Sequence, residues 1–234
     1  MELKKELWTE LDKDIFQEYL LSLGRGKEKS KWEQNITRTK LPCIAVLSKD
    51  VSQVVKEISK GNFQSFLDLW LWENLTNTII NASLISKIKD FNLMVSYLDK
   101  FVQKADNWAS IDTLAFQVSG KEDKFFNLAE KYLSSDRTFV RRAGVRILFK
   151  FINEKYIDRV FDLLSRLKNE QEYYVNMAIS WLVCEAFIKQ RNKTIEFLKE
   201  KRLNTFTQNK AISKCRDSFR IGKEDKALLL NFKI

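Results

Sequence analysis

A chain of 234 residues with one proline and six glycines has few places to turn. Ordinary usage is roughly 5% and 7%. Sheets and doubly wound folds need frequent turns, and turns draw on those two residues. The scarcity points to an all-α chain with short polar connections. Hydrophobic residues at 44% supply a core, and charged residues at 31% supply a wet surface.

Helical periodicity runs almost throughout. A first amphipathic segment, Trp8 to Leu23, stops at Gly24-Arg25-Gly26. Residues 24–42 hold two of the six glycines and the only proline, and read as a loop with a short helix. Ser48 can cap a helix carrying Val51, Val54, Val55 and Ile58. The pattern then predicts helices over 63–70, 72–88, 91–104, 107–118, 122–133, 136–152, 155–168, 170–189, 191–201, 205–219 and 223–231. Helices of this length with tight connections form antiparallel hairpins. No linker rich in Pro, Gly or Ser divides the chain, so 1–234 reads as one domain: an N-terminal helix and irregular segment over 1–42, and a repeat stack over 43–234.

The repeat is visible directly. FVRRAGVR (139–146) aligns with YVNMAISW (174–181) at an offset of 35, and Ala178-Ile179-Ser180 returns as Ala211-Ile212-Ser213 at 33. Stepping back 34 from Ala143 lands on Ala109. A period near 34 with two helices per unit predicts a curved superhelical stack of antiparallel helix pairs, of the HEAT type, whose equivalent positions line one concave surface.

Ala143, Ala178 and Ala211 suit a core column. The same offsets place Asp112, Arg146, Trp181 and Lys214 in a second column, and Trp108, Arg142, Met177 and Lys210 in a third one turn earlier. At i and i+4, Trp108 and Asp112 share a helix face, as do Arg142 and Arg146, and Lys210 and Lys214. Taken alone, each indole reads as core and Asp112 as a solvated surface acid. Together, the columns predict a wall of cations with two rings flanking one carboxylate. Such a wall suits a phosphate backbone, and the rings and carboxylate suit a cation. Trp8, Trp32, Trp70 and Trp72 read as core or stay unassigned.

The charge supports a polyanionic partner. The chain carries 41 basic and 31 acidic residues, but 1–117 holds 16 of each, leaving 25 and 15 in 118–234. An asymmetry of this kind points to nucleic acid. There is no histidine, which removes His-dependent triads, general bases and HExxH metal sites. Cys43, Cys184 and Cys215 form no CxxC and read as buried thiols of a reducing cytoplasm. No metal cluster or cofactor motif is visible. The charged N-terminus lacks a signal-peptide core, and no run approaches the ~20 apolar residues of a membrane span. A soluble, cytoplasmic monomer is expected.

NWASID (107–112), FVRRAGV (139–145), YYVNMAISWLVCEAF (173–187) and FLDLWLWENLTNTII (66–80) resemble the DNA alkylation repair family, in particular its AlkD-type alkylpurine DNA glycosylases. The resemblance implies a C-shaped helical solenoid that holds double-stranded DNA in a basic concavity. It implies excision of cationic alkylated purines, such as 3-methyladenine and 7-methylguanine, without flipping the base into a pocket. On the matching positions, it places the catalytic carboxylate on Asp112, damaged-base contacts on Trp108 and Trp181, and a backbone contact on Arg142. Arg146, Lys210 and Lys214 are further backbone candidates from their columns. The chain departs from the family at Met177 and Cys184, positions that are commonly basic. A non-catalytic module binding branched or damaged DNA therefore stands as the alternative, and a repeat scaffold binding an acidic peptide as a third reading.

Overall fold

The computed structural model describes all residues, Met1–Ile234. The chain is all-helical: fourteen α-helices, two short 3-10 turns and no strand. No helix is long and apolar enough to cross a membrane. The chain divides into two compact units, Met1–Gln117 and Val118–Ile234. That boundary falls on the same peptide bond as the charge asymmetry, so the whole excess of positive charge belongs to the second unit.

The first unit holds α1 (Asp12–Ser22), α2 (Lys27–Thr37), α3 (Ser48–Ile58), α4 (Phe63–Asp68), α5 (Leu75–Ile85), α6 (Phe91–Lys104) and α7 (Trp108–Asp112). Helix α5 is its centre and packs on α3, α4, α6 and α7. Asparagine and aspartate start many of these helices. Asn74 and Asn77 form a reciprocal capping box on α5, Asp90 accepts from the Leu93 N–H, and Asn107 accepts from the Ser110 N–H. Each satisfies a backbone donor that the first turn leaves orphaned. Trp8, Phe16 and Phe66 pack edge to face beneath α1, with centroids 4.9–5.7 Å apart.

Two expectations change in this unit. The segment after Gly26 is a full eleven-residue helix, α2, rather than a loop with a short helix. Gly26 opens it at φ 83°, a left-handed conformation that glycine adopts freely. The helix expected over 107–118 ends at Asp112. Beyond it, Leu114 and Phe116 are buried while Ala115 and Gln117 are exposed, the period-two pattern of extended chain. The Ala115 N–H donates to Ser86 Oγ at 3.0 Å, which pins this segment to the end of α5.

The second unit holds α8 (Glu122–Leu133), α9 (Thr138–Leu148), α10 (Ile157–Arg166), α11 (Tyr173–Lys189), α12 (Arg191–Lys199), α13 (Thr205–Asp217) and α14 (Lys223–Leu228). Helices α9, α11 and α13 pack side by side as one layer. Of the other layer, α8 packs on α9, α12 on α11 and α10 on α12. This layering is compatible with the helical repeat read from the offsets. Ala143, Ala178 and Ala211 are all buried, allowing close helix approach. Gly144 serves the same end: a Cβ there would lie 2.9 Å from the Ala129 carbonyl oxygen of α8.

Polar bonds tie the repeats together. Arg141 makes a bidentate ion pair with Glu170, at 2.6 and 3.0 Å, with both side chains largely buried. Asn176 Oδ1 accepts from Thr207 Oγ1 at 2.6 Å and from Asn204 Nδ2 at 3.2 Å, joining α11 to the start of α13.

Candidate functional site

In the first unit, Asn107 sets the geometry. Its buried Oδ1 caps α7 and fixes the direction of a five-residue helix. Trp108 is the first residue of that helix and Asp112 the last, so one turn separates them on one face. Both are half-buried. The indole Nε1 of Trp108 donates to the Ile36 carbonyl in the last turn of α2, at 3.1 Å. Nearby, Asp106 accepts from Thr39 Oγ1 and the Lys40 N–H, both at 2.7 Å. Helix α2 thus buttresses α7.

Trp108 and Asp112 line one cavity of about 620 Å³. Helices α3, α5 and α7 form its walls, and α2 contributes Glu33. The volume is in the range of small-molecule sites, roughly 300–1,000 Å³. Lys56 and Lys87, both exposed, stand on the wall with the two acids. The cavity is therefore mixed in charge, with an aromatic face beside a carboxylate.

Glu33 was not among the expected site residues, because its segment carried no helical stripe to orient it. Its Oε2 accepts from the Ala45 N–H at 2.9 Å. Arg25 Nε donates to the Ala45 carbonyl at 3.1 Å, so the two side chains clamp one residue held at φ 53°. Burial pushes the Glu33 carboxyl above its ordinary range, against the opposing pull of the Ala45 N–H, the Cys43 thiol and Arg25.

The remaining candidates belong to the second unit. Trp181 is half-buried on α11, its ring 4.5 Å from Phe149. The Arg146 guanidinium lies 5.7 Å from the Trp181 ring and 5.3 Å from that of Phe149, a cation–π arrangement. Lys210 and Lys214 sit one turn apart on α13, both half-buried.

Arg142 departs from the expectation of a cation offered to phosphates. It is only 5% exposed, and its guanidinium donates to the Tyr174 carbonyl in the first turn of α11. It acts within the protein, tying α9 to α11. Met177 is half-buried and Cys184 buried. The neighbouring Cys184 thiol, with burial behind it, pushes the Cys215 thiol upward. No group of three or more His, Cys, Asp or Glu residues is arranged to hold a metal ion.

Among curated proteins none matches the chain. The sequence profile described as "DNA alkylation repair enzyme" matches residues 17–215, which span both units and every candidate residue above. On that match the chain belongs to the DNA alkylation repair enzyme family.

Proposed function

We propose that the protein is a monofunctional DNA glycosylase that releases N3- and N7-alkylated purines from duplex DNA by hydrolysing the N-glycosidic bond, acting as a monomer. The observation that carries this reading is the pairing of Trp108 and Asp112 on one face of α7, at the wall of a single cavity.

The chemistry suits a site without histidine. An N3- or N7-alkylated purine is already a cation, so it needs no general acid to leave. The C1′–N bond breaks with its electron pair going to the base, which departs neutral. The sugar becomes an oxocarbenium ion, as in glycoside hydrolysis generally. A fixed carboxylate beside that charge stabilises it and orients the water that adds to C1′, whose proton passes to the carboxylate or to solvent. We assign this role to Asp112. Trp108 offers its ring to the cationic nucleotide, at roughly 0.5–2 kcal/mol. On the resemblance, Trp181 takes the second ring contact. Lys210, Lys214 and Arg146 hold phosphates, positioning DNA without reading its sequence. Arg142, being buried, has an indirect part: it sets α11, which carries Trp181.

The test is release of 7-methylguanine or 3-methyladenine from methylated duplex DNA. The wild type is expected to release base. Asp112→Asn is expected to lower the rate about 10²–10³-fold with DNA binding nearly intact. No release by folded, saturating wild type would end the reading. The second reading, DNA binding without base release, is favoured by one observation: the usually basic position at Cys184 holds a buried thiol, which offers no cation to a phosphate. It predicts salt-sensitive binding and no free base in the same assay.

A further inference from the structure

The second residue of each of the three helices in the α9, α11, α13 layer is aromatic: Phe139 in α9, Tyr174 in α11 and Phe206 in α13. Tyr173, the first residue of α11, completes a continuous row. Phe139 and Tyr174 have centroids 5.5 Å apart, Tyr174 and Tyr173 5.4 Å, and Tyr173 and Phe206 6.1 Å. The row leaves the protein at its last two members: Tyr173 is 55% exposed and Phe206 47% exposed. These two rings stand at the mouth of a cleft of about 360 Å³, floored by Asn176 and Asn204 and bordered by Glu170.

The polar groups of Glu170, Asn176 and Asn204 in that cleft are already engaged. Glu170 is held by two guanidinium nitrogens of Arg141, Nε and Nη2, and that cation neutralises its charge. Asn176 donates to the Glu170 carbonyl and accepts from Thr207 and Asn204. What the cleft presents to a ligand is therefore chiefly π-face. The cations of the candidate DNA wall continue from it. Phe206 lies one turn before Lys210 and two before Lys214 on α13, and Tyr173 lies two turns before Trp181 on α11. The unit carries the whole positive excess of the chain. Flat, exposed rings in line with cations, on a strongly basic unit, match a nucleic-acid strand whose bases are unstacked. Aromatic side chains take such bases without sequence preference while cations track the phosphates.

We propose that Tyr173 and Phe206 form a stacking platform for an unpaired base of DNA, so that the protein engages strand ends, bulges or gaps in addition to intact duplex. This rests on DNA being the partner but not on base release. The experiment therefore uses undamaged DNA and separates the two ideas. Full-length protein is titrated with a blunt duplex and with the same duplex carrying a 2-aminopurine bulge or short overhang. The wild type should bind the second more tightly and quench the 2-aminopurine emission. In Tyr173→Ala/Phe206→Ala, that preference and the quench should both disappear, with roughly tenfold or greater loss for the bulged DNA, the size of one stacked base, and blunt-duplex affinity held. Tyr173→Phe, which keeps the ring, should retain both signals. Equal affinity of the wild type for the two DNAs without quenching, an equal loss of both affinities in the double variant, or no DNA binding at all would overturn the proposal. The last outcome would point to a peptide ligand for the platform.

Discussion

Trp108 and Ile36 are joined by a hydrogen bond, indole N–H to backbone carbonyl at 3.1 Å, across 72 residues of chain. The bond fixes the candidate cavity's ring to α2, a helix that otherwise presents mostly polar and charged side chains. Trp108→Phe separates the two roles of the residue, keeping a ring and deleting the donor. It should cost about 1 kcal/mol in stability, the net size of an ordinary hydrogen bond, read by urea unfolding. Base release should fall further for Trp108→Ala than for Trp108→Phe. Equal rates for the two variants would mean that the ring itself takes no part.

Glu33 gives a signed pH prediction. Its folded-state pKa is raised by burial, so its contribution to stability is fully present below the unfolded carboxylate pKa of about 4.3 and is lost as pH rises through the raised folded value. Glu33→Gln keeps an oxygen for the Ala45 N–H and removes the buried charge. The variant should match or exceed the wild type in unfolding free energy at pH 7. That advantage should shrink toward zero, or reverse, near pH 4. A variant that is less stable at pH 7 and unchanged at pH 4 would contradict this account.

Arg141 and Glu170 form a buried bidentate pair between successive repeats. Removing one partner strands the other charge, at a cost of about 3–5 kcal/mol. Glu170→Ala should therefore lower the melting temperature of the chain by roughly 10 °C, at about 2–4 °C per kcal/mol for a protein of this size. Arg141→Met/Glu170→Leu, which removes both charges, should recover much of the loss in a thermal melt.

Lys210 and Arg142 should behave oppositely in DNA binding. Lys210→Ala and Lys214→Ala should each reduce the slope of log affinity against log salt by about 1, the mark of one lost phosphate contact. Arg142→Gln should leave that slope unchanged. It should lower stability by about 1.5–3 kcal/mol, the range for a hydrogen bond from a charged group. A reduced salt slope for Arg142→Gln, measured by fluorescence anisotropy across salt, would place this guanidinium on DNA after all.

The sequence was most legible where local signals agreed. Helices α6 and α8 run over 91–104 and 122–133 as the periodicity implies, and Asp90 supplies a start signal for α6. The end of α7 was misread because apolar residues at 114, 116 and 118 suit either a helix or an alternating strand-like segment. Long-range burial of Leu114 and Phe116 decided for the second. Helix α2 was obscured by Gly24, Gly26 and a polar composition with few apolar anchors.

The site divides in the same way. Trp108 and Asp112 could be paired from spacing alone, because one helical turn is a local fact. The cavity they line could not, since α2, α3 and α5 supply the other walls from up to 79 residues away. Glu33 was missed for that reason. Arg142 and Arg146 look equivalent in sequence, one turn apart on α9. The Arg142 guanidinium donates to the Tyr174 carbonyl, 32 residues on, a partner that local spacing does not reveal.

The net positive charge of the polypeptide lies entirely beyond the first unit, in residues 118–234. Raising ionic strength screens the excess carried by residues 118–234. Trp108 and Asp112 lie in the half whose formal charges sum to zero. On the proposed reading, ionic strength sets how long the cations of the second unit stay on a phosphate backbone.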